Sequence, residues 1–286
     1  MGHRLGPNTY GKAEIRLLHV DRDGPRHEVR DLTVGVTLAG AFDDTYLTGD
    51  NSAVLPTDSQ KNTVYAFARR HGIGAVEDFA RRLARRFVTA QPETVAHARV
   101  TVVEHPWART GGHSFAAPAG EGRTAEVTAT LQADWTVAGL TGLLLLKTTG
   151  SEFRGFLRDA YTTLPETDDR ILATEVEARW RYGAAPGDWD AAHGAAREAL
   201  IGTFGSTHSR SLQQSLYAMG GAVLDAVDEV AEVRLRLPNR HHLLVDLGPF
   251  GLDNENVVFH PDDRPYGLIT GTVSREGAPP PGLAWV

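Results

Sequence analysis

The chain is predicted to be an α+β protein that uses one layout twice. Three observations predict this: period-two apolar runs come in groups, a pair of helical patterns follows them, and the whole order recurs. Each half reads strand–strand–helix–helix–strand–strand, which predicts an antiparallel sheet with its helices on one face. The two domains are expected to cover residues 1–120 and 121–286.

The first half opens with GKAEIRLLHV, where Ala13, Ile15 and Leu17 alternate with Lys12, Glu14 and Arg16, the pattern of a half-buried strand. A Gly-Pro turn in DRDGPRH leads to DLTVGVTLAG, with Leu32, Val34, Val36 and Leu38 on one face, so the two runs form a hairpin. The stretch LPTDSQKNT at 55–63 carries a helix-start signature. Thr57 with Gln60 fits a capping box, and Asp58 favours the positive end of the helix dipole. TVYAFARRH and VEDFARRLARRFV then read as helices. In the second, Val76, Phe79, Leu83 and Phe87 make one apolar stripe, and Arg81, Arg82, Arg85 and Arg86 fall on a solvated face. ARVTVVEHPW is the closing strand.

In the second half, AEVTATLQADW alternates through Val127, Ala129, Leu131, Ala133 and Trp135, and TVAGLTGLLLLKT is a more fully buried partner. After an insert, ILATEVEARWRY sets Leu172, Thr174, Val176, Ala178 and Trp180 against charged residues. Helices are expected at roughly 187–203 and 209–227, the latter with Leu212, Leu216, Met219, Val223 and Val227 at helical spacing. EVRLRLPN, HHLLVDL and GLITGTVSR complete the sheet.

Composition narrows the chemistry. With 286 residues, 41% hydrophobic and 23% charged, the chain can bury a core. A formal net charge of −7 argues against a general nucleic-acid binder, because a phosphate backbone calls for a basic surface. The absence of cysteine excludes disulfides, thiol nucleophiles and zinc–thiolate sites. The N-terminus lacks a signal-peptide apolar core, the longest apolar run is LLLL at 143–146, and the C-terminus GLAWV is no SKL-type address. These features predict a soluble cytoplasmic protein with neither a membrane nor a nucleic-acid partner. Dinucleotide, P-loop, GxSxG and HExxH motifs are missing. Of the scattered histidines only His241 and His242 adjoin, and strand neighbours point to opposite faces, so no metal site is expected. What remains is polar residues at the ends of apolar elements: Lys12, Arg170, Gln213, Asn239 and His241. Each has an ordinary structural reading as well.

Six segments change the weight of these residues when taken together. They are YGK at 10–12, LPTDSQKNTVYAFA at 55–68, EFRGFLRDAYTTLPETDDRILATEVEARWRY at 152–182, SLQQSLYAMG at 211–220, LPNRHHLLVDL at 237–247 and PYGLITGTVSR at 265–275. In this order the chain resembles the urate oxidase (uricase) family, bacterial type, of the tunnelling-fold superfamily. The resemblance implies tandem T-fold domains, each an antiparallel four-stranded sheet with two helices on one face. It implies a homotetramer with active sites shared between subunits, acting on urate and dioxygen with no metal or other cofactor.

The resemblance also implies site roles. Lys12, Thr57 and His241 would form a catalytic proton relay, and Asp58 would offer a main-chain contact to substrate. Phe153 would stack on the purine, and Arg170 with Gln213 would hold its pyrimidine edge. Leu212 would act through its main chain where relatives often carry valine, and Asn239 would stand over the ring where oxygen or water sits. Urate is a flat anion, which suits a planar guanidinium fork and an apolar ring face. Two other readings stay open at this point: a non-catalytic purine-binding protein, against which Lys12, Thr57 and His241 are all present, and another T-fold enzyme acting on pterin- or GTP-like substrates.

Overall fold

The computed structural model describes residues 2–118 and 120–286. It is α+β and divides into two compact units. The first runs to Gly139 and takes in Arg181–Asp190 and Pro279–Val286; the second comprises Leu140–Trp180 and Ala191–Ala278.

In the first unit the hairpin β1 (Tyr10–Asp21) and β2 (Glu28–Gly40) is followed by a short α1 (Asp43–Leu47), then α2 (Thr57–His71) and α3 (Val76–Ala90). The chain returns as β3 (Val95–His105), makes a small hairpin from β4 (Ala108–Arg109) and β5 (Phe115–Ala116), and adds β6 (Gly122–Ala129). The sheet order is β1-β2-β3-β6, antiparallel throughout. Register explains the core: Val34 opposes Val102, Val36 opposes Val100, and Val100 opposes Val127, so these valines share one face. The predicted stripe Val76, Phe79, Leu83 and Phe87 of α3 lies buried upon it. Burying each such side chain contributes about 1.5–3 kcal/mol.

The basic face of α3 is only partly solvated. Arg85 donates to the Asp134 carboxylate at 2.5 and 2.8 Å and Arg81 joins it at 3.2 Å, while Arg82 donates to the Ile73 carbonyl at 2.9 Å. Another expectation shifts nearby. The alternating run AEVTATLQADW is not one strand, because β6 stops at Ala129 and a turn follows. The Thr130 N–H donates to the Ala133 carbonyl at 2.8 Å, and the Thr130 hydroxyl accepts from the N–H groups of Gln132 and Ala133. Leu131, placed inside by period two, is therefore exposed.

The second unit contains β7 (Asp134–Lys147, which begins in the first unit), β8 (Leu172–Tyr182), α4 (Trp189–Ser206), α5 (Leu212–Ala226), β9 (Val230–Leu244) and β10 (Phe259–Ser274). The strands run in the order β7-β8-β9-β10. Leu212, Leu216, Met219 and Val223 of α5 are buried as their spacing predicts. The helix packs on β9 and β10 at close range, since a Cβ added at Gly220 would lie 2.6 Å from a Val273 methyl. EVRLRLPN and HHLLVDL do not form separate strands. The alternation Val233, Leu235, Leu237 runs on through Asn239 and His241 in a single β9. The opposite sheet face is charged, with Arg240 paired to Glu175 and Arg236 lying 3.8 Å from Glu177. Among the described residues no helix is long and apolar enough to cross a membrane.

One ion-pair network is wholly internal to the first unit. Glu77 is fully buried, and Arg123 answers it with two hydrogen bonds of 2.7 and 3.1 Å. The same guanidinium reaches the Asp190 carboxylate at 2.5 Å and the Trp189 carbonyl at 3.2 Å. Removing one member of a buried pair leaves the other uncompensated. Arg123→Met is therefore expected to cost about 3–5 kcal/mol of stability, read as a lower midpoint in urea unfolding. An unchanged midpoint would show that the pair contributes nothing.

Candidate active site

In the first unit the site begins with the backbone of β1. Gly11 lies so close to β2 that a Cβ would fall 1.8 Å from the Val36 carbonyl oxygen, which accounts for the glycine of YGK. Directly after Lys12 the register slips: Lys12 opposes Val36 but Ile15 opposes Val34. Ala13 and Glu14 thus face a single residue of β2, a β-bulge, and Glu14 takes a left-handed φ of 56°. The extra residue inverts the alternation. Sequence periodicity sets Lys12 on the face opposite Ile15 and Leu17, whereas register puts it on their face, with Tyr10, and half-buried.

Tyr10 then fixes the segment that carries Thr57. Its hydroxyl accepts the Leu55 N–H at 2.8 Å, and the fully buried Gln60 amide donates to the Leu55 carbonyl at 3.3 Å. The capping box does not form. The helix starts at Thr57 itself, Pro56 is the N-cap, and no side chain caps it. The reason is the position of Gln60, which the box needs at the exposed first turn and which is instead withdrawn beneath the segment. Asp58, exposed in that first turn, binds side chains: Lys61 at 2.5 Å and Asn62 at 3.0 Å. The hydrogen bond from Lys61, then its charge, holds the Asp58 carboxyl below its ordinary range, with smaller help from Asn62 and from the Lys12 charge. Lys12 and Asp58 are thus within electrostatic reach of each other. Neither the Lys12 amine nor the Thr57 hydroxyl makes a hydrogen bond within the described residues, so both are available to a bound molecule or another chain.

In the second unit Phe153 and Arg170 lie in segments outside regular structure, held by backbone pairing. Phe153 and Thr167 exchange N–H···O bonds of 2.9 and 3.1 Å, and the Glu152 N–H donates to the Ser209 carbonyl at 2.8 Å. The Phe153 ring stacks on Phe156 at 4.9 Å, and the Arg170 guanidinium lies 5.2 Å from the centre of the Phe153 ring. Arg170 Nε is buried with no hydrogen-bond partner, and burial pushes the guanidinium below its ordinary pKa. The Nε donor thus lacks an acceptor among the described residues, and a planar guanidinium over an aromatic face has the shape to meet a flat anion.

The start of α5 joins this cluster through Ser209. Its hydroxyl donates to the Ser211 carbonyl at 3.0 Å and accepts from Ser215 at 2.7 Å, and Ser211 caps the helix by accepting the Gln214 N–H at 3.2 Å. That cap leaves Gln213 exposed in the first turn and sinks Leu212 into the core. Asn239 and His241 continue the core-facing row of Leu235 and Leu237 on β9, where the row becomes half-exposed. His241 lines a recess with Leu144, Leu146 and Ala173.

The structure therefore sets Phe153 beside Arg170, ties the chain before Phe153 to Ser209 ahead of Leu212 and Gln213, seats Asn239 and His241 on one face of β9, and brings Lys12 within electrostatic reach of Asp58, next to Thr57, in the first unit. Sequence reasoning missed Tyr10, Gln60 and the Ser209–Ser215 hydroxyl pair. Tyr10 stood in a quoted motif, but the two serines left no pattern to read. Among the described residues no three His, Asp or Glu side chains are placed to hold a metal ion.

Comparison with known proteins gives a consistent result. A family model described as Uricase matches residues 8–130 and 136–270. The chain is similar to the uricase of Arthrobacter globiformis, 50% identical over 96% of this chain and 91% of the relative. It is 38% identical to the uricase of Danio rerio over 93% of each chain. The crystal structure of the Arthrobacter globiformis uricase superposes with a TM-score of 0.96 at 47% identity, covering 100% of this chain and 99% of that one.

The Asp58 environment generates a pH prediction. A carboxyl held low in the folded state adds stability above its unfolded pKa and loses it as pH falls through the folded value. Lys61→Ala removes the largest cause, so Asp58 is expected to titrate closer to the free value of about 3.9. A carboxyl NMR titration checks this, and an unmoved midpoint would show that Lys61 is not the cause.

Proposed function

The chain belongs to the uricase family and is a urate oxidase, and from that premise we propose that it converts urate, dioxygen and water to 5-hydroxyisourate and hydrogen peroxide, unaided by a cofactor, at a site completed by a second subunit. The observation that carries this reading is the Arg170 guanidinium, buried at Nε without a partner and lying over Phe153. Urate presents an anionic, planar edge to such a fork, and Gln213, exposed at the start of α5, offers one donor and one acceptor.

In this reading Lys12, acting through Thr57, withdraws a proton from bound urate, and His241 completes the proton path. The resulting dianion is electron-rich enough to reduce dioxygen held near Asn239, giving a hydroperoxide on the ring. Water then replaces peroxide, which leaves with its two oxygen atoms as hydrogen peroxide. Asp58 contributes a main-chain contact at the substrate edge, and Leu212 does the same from α5. The half-buried seat of Lys12 at the end of an apolar row, with its amine making no hydrogen bond among the described residues, supports a role in proton transfer.

We further propose a homotetramer in which the 55–63 segment of one subunit faces the Phe153–Arg170 cluster of another. Thr57 and Asp58 then stand at a helix start for the sake of a neighbour's pocket. The free hydroxyl of Thr57 and the exposed first turn of α2 support this arrangement.

Oxygen uptake on adding urate, with no metal or flavin supplied, tests the reaction. Lys12→Met and Thr57→Ala are expected to keep urate binding and lose turnover by about 10²–10⁴-fold, the range of a general base. Weak binding with full-speed reaction of the bound fraction would overturn the relay. Arg170→Ala is expected to raise KM by about tenfold or more, through the loss of a charge-assisted contact. A second measurement addresses the shared site: mixing Thr57→Ala subunits with Arg170→Ala subunits is expected to restore part of the activity that neither has alone. Hybrids as inactive as their parents would place each site within one chain.

A further inference from the structure

The two groups assigned to urate binding, Phe153 and Arg170, sit on chain that neither a helix nor a named strand supports. A positioned site needs its carriers held, and side chains on irregular segments hold position only through the bonds those segments make. The Phe153–Thr167 backbone pair is one such tie. Another involves a side chain without a role so far.

The Asp169 carboxylate adjoins Arg170 in sequence and reaches across to the segment leading into Phe153. One oxygen accepts the Thr149 hydroxyl at 2.6 Å, and the other accepts the Gly150 N–H at 2.8 Å and the Ser151 N–H at 3.3 Å. Gly150 takes a left-handed φ of 73°, a turn that glycine adopts freely. Ser151 is fully buried and bridges to Ser209, which leads into the first turn of α5 and Gln213. One carboxylate therefore links the carriers of Arg170, Phe153 and Gln213. Its other neighbours are Lys147, which adds a favourable charge, and the Thr167 hydroxyl, which donates to the Asp169 carbonyl at 2.7 Å.

We propose that Asp169 is a positioning residue for urate binding, acting through the 149–151 turn to hold Phe153 and Arg170 at their mutual distance without touching substrate. The inference rests on the assignment of Arg170 and Phe153 to urate. The carboxylate acts by geometry, as a three-bond acceptor, so an isosteric amide serves nearly as well. Its oxygen still accepts from Gly150 and Ser151, and its NH2 can donate to the Thr149 hydroxyl.

The test measures urate binding under anaerobic conditions and aerobic turnover at saturating urate, on the intact protein. Asp169→Ala is expected to weaken binding by about 10- to 100-fold, while turnover of bound urate stays near the wild-type rate because the Asp169 carboxylate bonds to Thr149, Gly150 and Ser151 and to none of Lys12, Thr57, Asn239 or His241. Asp169→Asn is expected to recover most of the binding. Thr149→Val, which removes one of the three donors, is expected to weaken binding by about two- to tenfold. Asp169→Ala with wild-type affinity, lost turnover at unchanged affinity, or an Asn variant as weak as the Ala variant would each overturn the inference. Should Asp169→Ala not fold, Thr149→Val decides: wild-type affinity there overturns it. A wild-type protein that does not bind urate overturns the functional reading, and this inference with it.

Discussion

A charge taken out of water must be answered, and the two half-hidden arginines of this chain are answered differently. Arg123 meets the buried Glu77 with two bonds and adds Asp190 and the Trp189 carbonyl, and those partners raise its pKa despite burial. Arg170 has no comparable set. Its Nε is buried without a partner, and burial alone acts on its pKa, downward. Leaving one buried donor without an acceptor costs about 1–3 kcal/mol. The Arg170 Nε keeps room for an acceptor that the described residues do not supply. The same comparison separates Arg123, fully answered within the first unit, from Arg170, whose Nε is not, a distinction that residue type cannot make.

A second constraint places the remaining polar groups. The helix-covered face of a sheet is an apolar row of finite length, and both units end such rows with polar side chains. Tyr10 and Lys12 share the face of Ile15 and Leu17, and Asn239 and His241 continue that of Leu235 and Leu237. A group at the end of a buried row is partly dehydrated and still reachable. Such a position lets a polar side chain meet a molecule bound at the edge of the sheet.

Much of the fold was legible from side-chain period. Val76, Phe79, Leu83 and Phe87 are buried as a stripe, and Leu32, Val34, Val36 and Leu38 as a strand face, because burial selects residues one by one at fixed spacing. The misreadings have one physical origin: places where the backbone adds or turns a residue without changing the apolar pattern. The bulge at Ala13–Glu14 reverses the face of Lys12, the turn at Thr130–Ala133 cuts an alternating run, and the withdrawal of Gln60 dissolves a capping box that the letters spell correctly. The candidate site was legible only through family resemblance. Its residues come from elements far apart in the chain, and the side-chain-to-backbone bonds of Ser209 and Asp169 that assemble them have no periodic trace.

The bulge in β1 also separates two histories within one strand. Residues beyond Ile15 answer to the packing of the first unit's core, whereas Tyr10 to Lys12 answer to the chemistry at its margin, and the spare residue between them absorbs any mismatch. The margin can therefore be retuned without unseating the interior. Straightening the bulge with all its residues kept would turn the amine to the wet side of the sheet, whereas deleting Ala13 or Glu14 would give a regular strand with the amine on its present face.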